Sequence, residues 1–313
     1  MKTVERFAVD DAKRHEGIGG SEIGTVLGVN PFCSNVELYL IKRRELIDNG
    51  AGDAAELGHI LEPWILDKYE QKENVKLERP GDRVYRHPEY SWIFGHVDGL
   101  VIGRKRGVDA KSTGLMNFRA SQGFGKAGTD QVPLSIIAQC AIYMAIMDYP
   151  EWDVAALIAG GGVRFYRIKR DLDLEKSIIS RLKTFWFDHV LKGIPPAPKS
   201  VQDVELIYRN GDLGTIECKP QIYQAYLNVI EARQECAKAK EKKELNEFVI
   251  KEYMADHGTL VDFTDNELVT WFKDDDREVF DECAFKKAEP GLYNKYLKTR
   301  TGSRRFLLKN LKN

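Results

Sequence analysis

Two aspartates and a lysine lie close together in the stretch FGHVDGLVIGRKRGVDAKST, residues 94–113, and their types suit metal-ion chemistry. Asp109 and Lys111 are two positions apart, so on a strand both side chains project from one face. We expect Asp98 on the neighbouring strand of a hairpin, where cross-strand neighbours come within about 5 Å. Carboxylates that close repel each other unless a cation neutralises them, and oxygen ligands suit Mg²⁺ or Mn²⁺. The stretch predicts either a solvated hairpin or a phosphodiester-cleaving metal site.

Two further polar residues could join such a site. Apolar residues repeat every four positions from Leu57 to Tyr69 and predict a helix over about 54–69, with Glu62 one position past the buried stripe. An apolar helix is predicted over 132–147, and it contains Gln139. A buried glutamine needs hydrogen-bond partners, so it indicates either a satisfied core amide or a site residue.

Other segments supply the elements that must position these residues. Ser34 and Glu37 form a capping-box pattern that starts a helix. The segments RVYRHPEYSWIFGHVDGLVIG, GVDAKST, WDVAALIAG and VRFYRIKR have the composition of strands, with GRKRG as a turn. A helix through SIISRLKTFWFDHVLKG ends at Gly193 before PPAP, which indicates a domain boundary near residue 200. We predict one domain over 1–200 and a smaller α+β extension over 201–313, with a long charged helix at 221–256 and strands through TLVDF and LVTWF.

The composition indicates a folded protein, with 43% hydrophobic and 30% charged residues. Five scattered cysteines without a C-x-x-C pair favour reduced thiols over disulfides or a zinc site. The charged N-terminus lacks an apolar signal core and no window is apolar enough to span a membrane, so we expect a cytoplasmic protein. The net charge of −1 leaves the partner open, because DNA binding would then need a local basic surface.

Six segments in order resemble the phage-type alkaline exonucleases, the group of lambda exonuclease and the YqaJ-like viral recombinases within the PD-(D/E)xK nuclease superfamily. They are RHEGIGGSEIGTVLG, GHILEPWILDKY, FGHVDGLV, VDAKST, AQCAIYM and FWFDHVLKGIPP, and they cover residues 14 to about 198. The resemblance implies an α/β fold, a restriction-endonuclease-like core with a central mixed sheet flanked by helices. The chain after 198 resembles YqaJ-like extensions only weakly.

The resemblance also implies a role for each matching residue. Glu62, Asp98 and Asp109 would bind two Mg²⁺ ions, which Mn²⁺ could replace, together with the Ala110 carbonyl. Lys111 would be the catalytic lysine, with Gln139 beside it. The resemblance further implies that Arg14 and Ser21, seven positions apart as in the lambda-type motif, bind the terminal 5′-phosphate of a DNA end. Guanidinium and hydroxyl groups suit phosphate independently of the resemblance. Their structural alternatives are a surface arginine and a helix-capping serine.

Three positions depart from the family pattern. Asp109 stands where glutamate is frequent, and its shorter side chain still reaches a metal. His96 replaces a frequent proline before the motif aspartate. The basic residue expected after the lysine has no equivalent, because Asn117 occupies the nearest spacing and Arg119 is a substitute candidate.

The implied activity is stepwise 5′-to-3′ digestion of one strand of linear double-stranded DNA, leaving a 3′ single strand for recombination by annealing. A homotrimeric ring, a single-strand annealing partner and a phage or prophage origin in a bacterial cell are implied as well. Two alternatives stay open at this point. One is another PD-(D/E)xK endonuclease, for which the absence of a cysteine cluster disfavours an iron–sulfur type. The other is a non-catalytic module that binds DNA ends.

Overall fold

A computed structural model describes most of the chain, which divides into a first compact unit up to Arg209 and a second from Asn210. Arg14 and Arg119, two of the predicted phosphate contacts, lie outside the described residues. The described residues are 15–47, 52–113, 123–159, 161–211, 214–299, 302 and 304–309.

The first unit begins with short elements that pack on one another. They are strand β1 (Ile18–Gly19), a 3₁₀ turn (Gly20–Glu22), helix α1 (Ile23–Leu27) and helix α2 (Asn35–Lys42). The Ser34 hydroxyl accepts a bond from the Glu37 amide at 3.1 Å, and the Glu37 carboxylate accepts from the Ser34 amide at 2.7 Å. The predicted capping box is therefore confirmed, and it satisfies two amides at the start of α2.

Helix α3 (Asp53–Glu73) corresponds to the predicted helix over 54–69 and continues one turn beyond it. Ile65 and Tyr69 of the predicted stripe are fully buried, whereas Leu61 is partly buried. Pro63 lies inside the helix, where it cannot donate the usual backbone bond and favours a local distortion. Glu62 directly precedes this proline.

A five-stranded sheet forms the centre of the first unit in the order β2-β5-β6-β7-β8. Strands β6 and β7 are parallel and the other pairs are antiparallel, so the predicted mixed sheet is confirmed. Helix α4 (Leu134–Met147) makes the crossover between the parallel pair, as a parallel connection requires. The strands are β2 (Leu77–Glu78), β5 (Gly99–Val101), β6 (Arg106–Thr113), β7 (Glu151–Ile158) and β8 (Gly162–Lys169).

Helices cover both faces of this sheet. Ile65, Leu66 and Tyr69 of α3 pack with Val108 and Ala155 on one face. Residues of α4, among them Cys140, Tyr143 and Met144, pack with Trp152 and Val154 on the other. A smaller sheet joins β1, β4 (Ile93–Gly95) and β3 (Tyr85–Arg86) in the order β1-β4-β3. The flanking helices thus hold β6 from both sides.

Two details of the predicted hairpin are corrected. Asp98 does not lie within a strand but in a bend directly before the short strand β5. The GRKRG segment is not all turn, because β6 already begins at Arg106. Arg106 is buried and forms ion pairs with Asp153 at 3.5 Å and Glu151 at 3.6 Å, which explains why it joins the sheet rather than the solvated turn.

The first unit closes with helix α5 (Leu172–Lys183), which continues as a π-helical segment (Thr184–Leu191), and with helix α6 (Val201–Ile207). Trp186 of the π-helical segment stacks on Trp92 with ring centroids 6.3 Å apart. The helix ends just before Gly193, as predicted, and that glycine has a φ of 70°. The compact unit itself extends to Arg209.

The second unit contains the predicted long helix and two short strands. Its elements are α7 (Pro220–Met254), β9 (Thr259–Val261), β10 (Glu267–Thr270), α8 (Glu282–Ala288) and α9 (Pro290–Tyr296). Strands β9 and β10 pair antiparallel. Apolar residues of α7 such as Leu245, Phe248 and Tyr253 are exposed, and Met254 is the one described residue of this unit that is fully buried.

No helix in the described part of the chain has both the length and the apolar character needed to cross a bilayer. All five cysteines, at positions 33, 140, 218, 236 and 283, are free thiols, in agreement with the sequence prediction.

Candidate active site

The hairpin of β5 and β6 brings Asp98 and Asp109 to the same place. Gly99 pairs with Val108 in the antiparallel register, so the bend at Asp98 lies opposite Asp109. Asp98 Oδ2 accepts a hydrogen bond from the Ala110 amide at 2.8 Å, which fixes the bend against β6. Asp109 is fully buried on the face of β6 that α4 covers. The predicted convergence of these two carboxylates is what the structure shows.

Lys111 lies on the same face as Asp109, as its spacing predicts. Its Nζ is 2.5 Å from Asp109 Oδ2. Burial lowers the pKa of Lys111, but the neighbouring Asp109 and Asp98 carboxylates outweigh burial and raise it above its ordinary value. The side chain is therefore an ammonium that partly neutralises two buried carboxylates. Asp98, Asp109 and Lys111 are called the Asp–Lys cluster below.

Negative charge in the Asp–Lys cluster is only partly compensated. Burial raises the pKa of Asp98 well above its ordinary value, and the charges of Asp109 and Glu62 raise it further. The pKa of Glu62 is also raised, mainly by burial and to a smaller extent by the charge of Asp109. A nearby cation would stabilise the ionised form of both carboxylates.

Glu62 approaches the Asp–Lys cluster without touching it. Its carboxylate is within electrostatic reach of Asp109 and Lys111, while its one short ionic contact is with His59 Nδ1 at 3.9 Å. The helix that carries it packs on β6 through the close approach of Gly58 to Ser112, where a Cβ on Gly58 would lie 3.6 Å from the serine oxygen. Glu62 is thus within electrostatic reach of the cluster, and its part in a metal site stays a prediction.

The donor set fits a divalent cation chemically, although it is not closed as a metal site. Asp109 Oδ2 is buried beside the Lys111 ammonium, and the cluster offers the carboxylate oxygens that Mg²⁺ and Mn²⁺ prefer. In the described part of the chain, no three His, Cys, Asp or Glu side chains are grouped closely enough to hold an ion as they stand. Lys111 Nζ occupies the place beside Asp109 Oδ2, so a cation there must displace the ammonium.

Gln139 is buried in α4 and its amide is satisfied. Its Nε2 donates to the Tyr143 hydroxyl at 2.9 Å, one helical turn along. The structure therefore supplies the partner that a buried glutamine needs, and that partner is a tyrosine rather than Lys111. Tyr143 was not among the predicted site residues, but its i, i+4 spacing from Gln139 could have identified it.

Ser21 is exposed in the 3₁₀ turn between β1 and α1. A buried ion pair supports this turn, with Lys42 Nζ 2.6 Å from Glu22 Oε2. The same Glu22 oxygen accepts from the Gly19 amide at 2.7 Å. Neither Glu22 nor Lys42 was predicted to matter, because a charged helix residue in a run such as KRRE normally indicates solvated surface.

An ionic network near the first residues of β6 holds α3 on the sheet. The Tyr69 hydroxyl donates to Asp153 Oδ2 at 2.6 Å, and Arg167 Nε donates to Asp153 Oδ1 at 2.8 Å. Arg106 is the second cationic residue that contacts Asp153. The network fixes the helix that carries Glu62, and no sequence pattern indicated it.

Comparison with known proteins shows a family similarity over the first half of the chain. Residues 11–150 match the YqaJ-like viral recombinase domain. This part of the chain is therefore similar to the YqaJ-like domains. A Bacillus subtilis (strain 168) protein, YqaJ, is 30% identical over 188 residues, which are 59% of this chain and 57% of that protein. The chain therefore aligns with little more than half the length of that relative.

Two solved structures are similar to the fold at low identity. An alkaline exonuclease from Laribacter hongkongensis is 18% identical, with a TM-score of 0.45, over 58% of this chain and 92% of that one. A phage-related exonuclease from Haemophilus somnus 129PT is 12% identical, with a TM-score of 0.42, over 57% of this chain and 96% of that one.

All the predicted site residues lie inside the matched YqaJ-like segment. Glu62, Asp98, Asp109, Lys111 and Gln139 come from a helix, a bend, a strand and a second helix of the first unit. The second unit lies wholly outside the match. The similarity therefore concerns the first unit, which holds Asp98 and Asp109.

Proposed function

We propose that the YqaJ-like domain is a PD-(D/E)xK nuclease that digests one strand of linear double-stranded DNA from its 5′ end. The observation that carries the proposal is the Asp–Lys cluster, in which Asp98 is fixed to the Ala110 amide and Lys111 Nζ lies 2.5 Å from Asp109 Oδ2. A buried, undercompensated carboxylate pair beside a lysine is unfavourable for stability alone, since each carboxylate resists burial. Such arrangements occur where function requires them.

Asp98, Asp109 and Glu62 would hold two Mg²⁺ ions, with the Ala110 carbonyl as a further ligand and Mn²⁺ as a substitute. When bound, such ions supply an activated water and stabilise charge on the phosphate and the leaving oxygen. Lys111, released from Asp109, would direct its ammonium toward the attacking water or the phosphate. Gln139 would correspond to the helix glutamine that lies beside the lysine in the related nucleases, and its amide donates to the Tyr143 hydroxyl.

Arg14 and Ser21 would bind the 5′-phosphate at a DNA end, with Arg119 as a further contact. Attack at the next phosphorus with departure of the 3′ oxygen releases a mononucleotide and leaves a new 5′-phosphate on the shortened strand. Each product end is therefore the next substrate, which accounts for stepwise digestion and a growing 3′ single strand. We further propose a homotrimeric ring around the DNA and delivery of that strand to a single-strand annealing protein, in recombination of phage type within a bacterial cell.

One assay tests this proposal against its two alternatives. Purified protein is incubated with Mg²⁺ and with linear duplex carrying 5′-phosphate or 5′-hydroxyl ends, or with covalently closed circles. We expect rapid loss of one strand of the phosphorylated linear duplex, no cutting of circles, and no activity in Asp109→Ala. Cleavage of circles would instead support an endonuclease, and a retarded but intact linear duplex would support a non-catalytic binder of DNA ends. Asp262→Ala, which replaces a half-buried aspartate of the second unit, is the matched control.

A further inference from the structure

The Tyr143 ring lies in a space that two glycines leave open. A Cβ placed on Gly20 would come within 2.4 Å of Tyr143 Cε1, and a Cβ on Gly95 within 2.3 Å of the same atom. Side chains other than hydrogen are therefore excluded at both positions unless the ring moves. Gly20 precedes Ser21 in the 3₁₀ turn, and Gly95 ends β4 three residues before Asp98.

The ring is also held from the other side. Its hydroxyl accepts from Gln139 Nε2 at 2.9 Å, and its centroid lies 5.4 Å from that of Trp152 on β7. Tyr143 is almost completely buried. A ring enclosed by a turn, a strand end, a helix amide and an indole has little freedom to shift, so it is a rigid spacer.

Tyr143 belongs to the same apolar cluster as Val97, which directly precedes Asp98, and it also meets the Ser21 turn at Gly20. Burial raises the pKa of its phenol, and the nearby Asp109 and Asp98 carboxylates add to this effect. The turn itself is fastened on its other sides, because β1 pairs with β4 and the Lys42–Glu22 ion pair lies beneath it. The ring thus lies between the turn that carries Ser21 and the strand end that leads to Asp98.

We infer that Tyr143 is a positioning residue that fixes the distance between the end-phosphate site at Ser21 and the Asp–Lys cluster, and so determines which phosphodiester, counted from the 5′ end, is cut. The inference rests on the proposed function, since it takes Ser21 as the phosphate contact. Geometry at the reacting atoms is strict, because a misplacement of about 1 Å can cost roughly 100-fold in rate. A looser spacer should therefore relax the cutting register.

The test is the length of the first product released from a 5′-phosphorylated, end-labelled linear duplex with Mg²⁺. Tyr143→Phe keeps the ring, and we expect mononucleotide product as in the unmodified protein. Tyr143→Leu removes the ring, and we expect a mixture of mononucleotide and longer products together with a reduced preference for 5′-phosphate over 5′-hydroxyl ends. Tyr166→Leu, a tyrosine of the same apolar cluster whose hydroxyl bonds to the Gly125 carbonyl, is the control and should release mononucleotides.

Gly20→Ala supplies a second perturbation from the opposite side, should Tyr143→Leu fold poorly. Its methyl group would meet the ring and shift the turn, so longer products are expected here too. Gly19→Ala is the matched control, because a Cβ there would lie 3.4 Å from Glu22 Oε2 and well clear of Tyr143. Only mononucleotides and an unchanged end preference from folded Tyr143→Leu or Gly20→Ala protein would overturn the inference. If the unmodified protein shows no 5′-phosphate preference or releases no mononucleotides, the proposed function itself fails.

Discussion

The two compact units of this chain differ in how many apolar and charged side chains they bury. The first unit encloses three apolar clusters around its sheet and also buries charged groups, including Asp109, Arg106 and Asp153. The second unit leaves large apolar side chains exposed, and the Phe263 side chain is fully accessible. Its helix α7 has 35 residues and one fully buried side chain, Met254.

This difference shows which unit contains buried charges that lower its stability. Burying a carboxylate pair is unfavourable unless a cation compensates it, and the first unit buries such a pair beside Lys111. In the second unit the charged groups remain in water, where their contacts contribute little. The unfavourable buried charge in the first unit thus indicates a functional site. The second unit has no comparable concentration of buried charge among its described residues.

The largest expected contrast is in activity. Lys111→Met removes the ammonium from the Asp–Lys cluster, and we expect DNA cleavage to fall by roughly 100- to 1000-fold, the size typical of losing one charge-stabilising donor. Lys243→Met on α7 removes an exposed lysine whose contact is an i, i+4 pair with Glu247, so its rate should be unchanged. Equal losses of cleavage rate in both variants would contradict the assignment of activity to the first unit.

The next contrast is in stability. Arg106→Met leaves Asp153 and Glu151 with one cation fewer, and losing one partner of a buried ionic group costs about 3–5 kcal/mol. Arg277→Met in the second unit changes an exposed arginine and should alter the free energy of unfolding by less than about 0.5 kcal/mol. Urea denaturation followed by tryptophan fluorescence measures both, and a comparable cost at Arg277 would contradict the comparison.

Apolar truncations sharpen the same comparison. Ile142 is fully buried in α4, so Ile142→Ala should lower the free energy of unfolding by about 2–5 kcal/mol. Phe248 on α7 is exposed, and Phe248→Ala should change it by less than about 0.5 kcal/mol. The two variants are compared by urea unfolding, and a large loss at Phe248 would show that α7 is packed in solution.

The smallest expected effect is a pH dependence confined to the β9–β10 hairpin. The Thr264 amide and then Asn266 donate to Asp262 and lower its pKa to about 2. Because the folded pKa lies below the ordinary value of 3.8, this contribution is present above that pH and is lost as the pH falls toward 2. NMR titration should show the low pKa and loss of hairpin signals in that window, and an Asp262 pKa near 3.8 would contradict it.

Asp98 should respond to pH with the opposite sign. Its folded pKa is raised, so ionised Asp98 destabilises the cation-free first unit, and this penalty is relieved as the pH falls through the folded pKa toward 3.8.

Local patterns predicted much of the first unit. The Ser34–Glu37 capping box, the apolar stripe of α3 and the spacing of Asp109 and Lys111 each depend on neighbours within a few residues, and the structure confirms all three. The approach of Asp98 to Asp109 was also predictable, since a short hairpin joins them.

The features that the sequence did not reveal depend on contacts between distant segments. Gly20 and Tyr143 are 123 positions apart, and nothing local indicates that a glycine leaves room for that ring. Arg106 looked like part of a basic turn, because its acidic partners lie on other elements. The buried ion pair of Lys42 could not be predicted from the charged run around it, because its partner Glu22 precedes it by 20 residues.

The most direct test of the central claim is a calorimetric titration of Mn²⁺ into the protein in the absence of DNA. We predict binding at the Asp–Lys cluster that is lost in Asp109→Asn, retained in the control Asp262→Asn, and tighter in Lys111→Met because the ammonium no longer competes for Asp109 Oδ2. Equal Mn²⁺ binding by the unmodified protein and by folded Asp109→Asn, or no binding by either, would contradict the account.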